Sequence, residues 1–189
     1  FLDLFARVRR IQCTATAPGF FAVTGSAAQI PCAPGTIAPN ASTSRCTKCA
    51  AGKYRAGTIN ATVCVACKKG YYCPVGTGAP LPCEEGSYSE ATDLVSYKDC
   101  TRTDPGFYAP TGSKKQTKCP PGSFDARGGE GRCELCPAGK YTGKTNQTEC
   151  SLCTLTSWCA RGSSAPTPCP SGTVGAREGL ASRGECEAP

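Results

Sequence analysis

The sequence predicts a small disulfide-rich fold, mostly irregular and β-hairpin, drawn out into an elongated rod of tandem Cys-rich modules. Three observations predict it. The chain has 17 Cys in 189 residues, a density at which covalent staples stand in for a hydrophobic core. It also has 22 Gly and 16 Pro, and no apolar run of helix or strand length from which a core could be built. Finally, the cysteines repeat. One set stands at 13, 32, 46, 49, 64, 67, 73 and 83, and a second at 100, 119, 133, 136, 150, 153, 159 and 169, offset by 87 and then 86 residues. Internal repeats of this kind signal a row of modules rather than one globule.

Taken in order, residues 1–12 (FLDLFARVRRIQ) differ from everything after them, with no Gly, Pro or Cys. Phe1, Leu4, Phe5, Val8 and Ile11 fit a helical apolar stripe, while Leu2, Leu4, Ala6 and Val8 fit a strand. Either way a short amphipathic arm has no core of its own and must dock elsewhere. The readings are the tail of a preceding domain, an arm packing on another subunit, or a membrane-surface segment. Residues 13–99 then form the first Cys-rich copy and 100–185 the second, and 186–189 open a third.

Within the copies a smaller unit recurs: Cys, two residues, Gly, one residue, then an aromatic or β-branched residue. Examples are Cys49-Ala-Ala-Gly52-Lys-Tyr54, Cys83-Glu-Glu-Gly86-Ser-Tyr88 and Cys136-Pro-Ala-Gly139-Lys-Tyr141. Gly permits a left-handed turn just after the cystine. The ring two residues on then folds back over the sulfurs. Cys153-Thr-Leu-Thr156 departs, with Thr in the Gly position. Two landmarks also repeat. Pro18-Gly19-Phe20-Phe21 matches Pro105-Gly106-Phe107-Tyr108, and Tyr72-Cys73 matches Trp158-Cys159. Short hairpins with little helix beyond the N-terminal segment are expected.

Eight cysteines allow about a hundred connectivities. The small unit suggests that each opening Cys closes on the Cys ending its own loop. That pairs Cys32 with Cys46, Cys49 with Cys64, Cys67 with Cys73 and Cys83 with Cys100. In the second copy it pairs Cys119 with Cys133, Cys136 with Cys150, Cys153 with Cys159 and Cys169 with Cys186. Each such bridge stabilises by roughly 2–4 kcal/mol. Cys13 is left over. In the repeat frame it closes a loop opened upstream, so the chain reads as an excerpt of a longer repeat protein, or Cys13 is bridged to another chain. Cys46-x2-Cys49 and Cys64-x2-Cys67 approach zinc-ribbon spacing. With no His, and with zinc leaving other thiols stranded, no metal and no cofactor are expected.

The cysteines point to an oxidising, extracellular compartment. The three Asn residues agree: Asn40, Asn60 and Asn146 each open an Asn-x-Ser/Thr acceptor for N-linked glycans. A eukaryotic secretory product, secreted or at the cell surface, is the reading. There is no signal peptide, no transmembrane run and no Met, so the sequence reads as a mature or excised piece. The net charge of +7 is scattered through loops as single Lys and Arg, which favours a solvated surface over nucleic acid.

The pattern Cys-x-x-Gly-x-Tyr with Cys-x-x-Cys, and Gly70-Tyr-Tyr-Cys-Pro74, resembles the Cys-rich ephrin-receptor-like repeats over residues 13–189. The resemblance implies an extracellular, disulfide-stapled rod whose repeated residues are structural and not catalytic. Asp104 stands near a position that often carries Cys in that family, leaving residues 100–119 as an unstapled stretch.

No enzyme is expected, since the usual nucleophile and base pairs are missing. The expected function is a glycosylated extracellular building block of a fibre, flagellar hair, cell coat or matrix, partnered by itself through the arm at Phe1, Leu4, Phe5, Val8 and Ile11. The alternative is the stalk or ligand-binding region of an adhesion receptor, touching other surface or matrix proteins. Its best candidate patch is Lys114, Lys115 and Lys118.

Overall fold

The structure, a computed structural model, describes residues 13–57, 59 and 61–188. Twenty two-residue strands pair there into ten antiparallel hairpins, with two single-turn 3-10 helices at Tyr97–Asp99 and Arg183–Glu185. Each hairpin joins successive strands, from Phe20–Phe21 with Ile30–Pro31 to Val174–Gly175 with Cys186–Glu187. A lone hairpin this short is not stable in water. These are stable because they stack.

The repeating element is smaller than the 87-residue copy. It is the Cys-x-x-Gly unit with its hairpin, and five units make one copy. The unit glycines, or Thr156 in one case, follow at intervals of 16 to 20 residues from Gly19 to Gly172. Units therefore run 16–31, 32–48, 49–66, 67–82 and 83–102, then 103–118, 119–135, 136–152, 153–168 and 169–187.

Backbone hydrogen bonds tie the units into a ladder. The residue opening a unit donates its N–H to the carbonyl of the preceding unit's glycine, or of Thr156 in its place, as in Cys49 to Gly35 at 2.8 Å and Thr103 to Gly86 at 3.0 Å. The glycine N–H in turn reaches forward, as from Gly52 to the Cys73 carbonyl at 2.8 Å and Gly122 to Thr142 at 2.7 Å. Hairpin tips reach back, as from Gly76 to the Cys49 carbonyl and Gly162 to that of Cys136, both 2.8 Å. Parallel bridges such as Tyr72 with Leu94 and Trp158 with Leu180 run along the same axis.

The core is two columns of small residues. The opening cysteines Cys32, Cys67, Cys83, Cys119, Cys136 and Cys153 are fully buried. Beside them run Ala38, Cys73, Ser89, Ala109, Asp125, Thr142 and Cys159, each following its hairpin's aromatic or branched residue and each buried. Large side chains are not needed, because sulfur and backbone fill the axis. The accessible surface is 12309 Å², against about 8,500 Å² for a compact monomer of this size, as a linear array requires.

Thr103, beside Asp104, takes the cysteine position between Cys100 and Cys119, and its hydroxyl accepts the Gly129 N–H at 2.6 Å. The stretch is also a full unit of the array, and its Pro105-Gly106-Phe107 segment is the same turn that follows every opening cysteine. Contacts also reach past the adjacent unit. A β-carbon on Gly52 would stand 2.5 Å from the Asp93 carbonyl oxygen, two units on. The hairpin tips overhang by more than one unit's thickness, so they rest on the turn two units back.

Candidate interaction surface

The structure holds eight disulfides: Cys32–Cys46, Cys49–Cys64, Cys67–Cys73, Cys83–Cys100, Cys119–Cys133, Cys136–Cys150, Cys153–Cys159 and Cys169–Cys186. Each lies within one unit and spans 6 to 17 residues. Six close the long loop of a hairpin, Cys67–Cys73 and Cys153–Cys159 close only the turn and first strand, and the ladder between units is non-covalent. Units 16–31 and 103–118 have no bridge. Where a long-loop staple has its closing cysteine, these units carry Gln29 and Gln116. The Gln116 side-chain oxygen accepts the Asp104 N–H at 2.8 Å, and its amide donates to the Asp104 carboxylate at 2.7 Å. Gln29 accepts the Ala17 N–H at 2.8 Å, and Ala17 offers no carboxylate for a second bond. Thr16 and Thr103 stand where the opening cysteine would be and are buried as it is. Counting three residues back from the next unit's opening residue finds both Gln positions in the sequence.

The turn glycines have positive φ, for example +80° at Gly52 and +83° at Gly139. The approach of the tip two units on leaves no room for a side chain at Gly52, which makes Gly there a packing requirement as well as a conformational one. Thr156 adopts the same region at +64°.

The tips also need one left-handed residue. Gly76, Gly112 and Gly162 supply it in three units, Asp93 at +63° in another, and Asn146 at +62° in another. Asn tolerates that region better than other residues with side chains. Asn146 therefore has a backbone reason to be where it is, independent of its acceptor motif. It is half-buried, and its N–H donates to the Cys119 carbonyl at 2.9 Å. Asn40 is exposed. Asn60 lies outside the described residues, as does the whole arm of Phe1, Leu4, Phe5, Val8 and Ile11. Cys13 is exposed and free.

Contacts between a unit and the next but one sort the units into two interleaved rows. One row contains units 32–48, 67–82, 103–118, 136–152 and 169–187. The other contains 49–66, 83–102, 119–135 and 153–168. Two of these contacts differ in charge. In the first row, a β-carbon on Gly70 would stand 3.0 Å from the Ser113 carbonyl oxygen. Lys68 and Lys69 precede that glycine and Lys114 and Lys115 follow that serine, so two lysine pairs flank this backbone contact. In the second row, Glu84 and Glu85 precede Gly86, which faces Gly129. Glu130 follows directly. Lys118 sits on the return strand opposite Phe107. The Lys68 and Lys69 pair was missed from sequence, where it looks like any other turn.

Among the described residues no group of three His, Cys, Asp or Glu is placed to hold a metal ion. No helix among them is long and apolar enough to cross a membrane. A groove of about 840 Å³ runs beside Phe124, Arg127, Arg132, Leu135 and Arg161. At its wall Asp125 Oδ1 accepts the N–H groups of Arg127 and Gly128 at 3.0 and 3.1 Å, while Asp125 Oδ2 is buried without a hydrogen-bond partner.

Residues 106–153 match the family described as Tyrosine-protein kinase ephrin type A/B receptor-like. This stretch carries an ephrin-receptor-like repeat. The match runs from the glycine of the unbridged unit 103–118 to the opening cysteine of unit 153–168, and so covers units of both rows. No curated protein matches the chain. The ephrin-receptor-like stretch and the eight disulfides together make this an extracellular type of Cys-rich structure.

Proposed function

We propose that the chain is a structural element outside the cell, a glycosylated building block of a fibre, hair, coat or matrix. The observation that carries this reading is the unbroken backbone ladder through ten units, including the two without a disulfide. An array in which each unit touches only its near neighbours gains length by copying and resists bending through many small contacts. Its repeated residues are used up in holding the array, with sulfurs, glycines and tips all engaged.

Assembly is assigned to the arm at residues 1–12, with Phe1, Leu4, Phe5, Val8 and Ile11 as its docking face. A head-to-tail contact that does not close produces a filament. Removing residues 1–12 is expected to leave the eight bridges intact and abolish higher assembly. Electron microscopy of the two proteins at equal concentration checks this, and fibres from the shortened chain would remove the arm from the proposal. The copies at 13–99 and 100–185, the start of another at 186–189, and glycans at Asn40, Asn60 and Asn146 belong to the same reading. Cys13 serves there as an unpaired or intermolecular thiol.

A second reading, a receptor stalk or ligand-binding ectodomain, draws support from the receptor named in the family matched at residues 106–153. Isolated rods under every assembly condition would favour it.

A further inference from the structure

We infer that the meeting point of units 67–82 and 103–118 is a binding site for an acidic, sulfated polysaccharide. Lys68-Lys69 and Lys114-Lys115 lie 46 residues apart in sequence. The array brings them to the two sides of one backbone contact, between Gly70 and the Gly112-Ser113 tip. All four lysines are exposed. The contact is further closed by Tyr71. Its hydroxyl would lie 3.2 Å from a β-carbon on Gly112, and the Lys68 ammonium sits 4.1 Å from the centre of its ring. The turn is thus held from both units, and the four ammonium groups are carried on a fixed base.

No carboxylate is interleaved with them in that turn or that tip. The nearest acidic pair in sequence, Glu84 and Glu85, belongs to the other row. A β-carbon on Gly131 there would stand 2.5 Å from a Glu85 carboxylate oxygen. Cys83 and Asp93 share backbone hydrogen bonds with Gly112 and Cys67, yet none of the four lysines is ion-paired among the described residues, and such a concentration of exposed like charge raises the local potential and draws in a polyanion.

The chemistry of the lysines selects the class of partner. Lysine is a flexible, strongly hydrated point charge, without the planar fork by which arginine reads a single carboxylate or phosphate. Four such groups on an open turn recognise charge density along a chain. A protein partner of comparable affinity needs a buried aromatic or aliphatic anchor, and Tyr71 is already covered by Lys68 and Gly112. Sulfated polysaccharide provides regularly spaced anions and belongs to the compartment the disulfides indicate. This inference does not depend on whether the arrays assemble into fibres.

The test is elution from immobilised heparin in a NaCl gradient, with solution affinity for heparin measured at physiological salt. Lys68→Ala with Lys69→Ala, and Lys114→Ala with Lys115→Ala, are each expected to elute at lower salt than the parent. All four changes together are expected to weaken binding about tenfold or more. A control removes equal charge elsewhere, at Lys53, Lys140, Lys144 and Arg183, and is expected to stay within about twofold of the parent. Unreduced mass and circular dichroism confirm that every variant keeps its bridges and fold. Equal loss in the control would reduce the effect to net charge and overturn the site. Passage of the parent through the column unretained would also overturn it. Binding to poly-glutamate as tight as to heparin would overturn the polysaccharide assignment in favour of an acidic protein.

Discussion

Unit 103–118 and its neighbour 119–135 occupy adjacent positions in the same ladder but are fastened differently. Unit 119–135 is closed by Cys119–Cys133. Unit 103–118 is closed by Gln116 on Asp104, through two hydrogen bonds. Both present the same hairpin, the same left-handed glycine and the same opening-residue bond to the preceding glycine, and only the tip of unit 119–135 differs, donating to the Thr103 hydroxyl in place of a backbone carbonyl. The difference teaches that a disulfide here is local reinforcement. The stacking interaction is the backbone ladder, which needs a small buried residue at the opening position and does not need sulfur.

Replacing the staple of one unit by that of the other is the strongest way to break this comparison. Cys119→Thr with Pro120→Asp and Cys133→Gln gives unit 119–135 the Thr, Asp and Gln of the natural non-covalent closure. Stability is expected to fall by about 2–4 kcal/mol, read as a lower denaturant midpoint, with the ladder on both sides retained in amide exchange. Loss of protection throughout units 103–152 would show that the bridge holds the array and not the unit alone.

The reverse exchange sharpens the comparison. Thr103→Cys with Gln116→Cys places cysteines at the positions where the long-loop units carry theirs. A ninth bridge is expected, seen as a loss of two thiols on oxidation, with a gain of about 2 kcal/mol. Two persistent free thiols would show that the base of this hairpin is spaced differently from the bridged ones.

The smallest effect separates the two natural glutamine staples. Gln116→Ala removes two hydrogen bonds and is expected to cost about 1–2 kcal/mol. Gln29→Ala removes one and is expected to cost about half that. Thermal melts of the two variants side by side give the ratio. Equal losses would mean the Asp104 carboxylate adds nothing to the Gln116 contact.

Much of the fold is legible in the residues themselves. Cys-x-x-Gly-x-aromatic is a local statement: a turn, a left-handed glycine and the start of a hairpin. Its repetition accounts for the hairpins and for the near absence of helix. What escaped reading was the unit without cysteine. Thr16 with Gln29, and Thr103 with Gln116, carry no sulfur, and Pro-Gly-Phe looked like a separate landmark. Asn146 shows the opposite difficulty. One residue satisfies both a left-handed tip and a glycan acceptor motif, so its presence alone does not choose between them.

The sequence by itself determined the covalent and near-neighbour layer of this protein: turns, hairpins, small residues for the axis, and cysteines for an oxidising compartment. Those features depend on residues within about one unit of each other, where backbone preference and side-chain size act directly. Only the tertiary structure decided which units meet at a distance of two. That depends on how far each tip overhangs its unit. It is this overhang that seats Gly112 on Gly70 and turns two ordinary Lys-Lys segments into one concentration of charge.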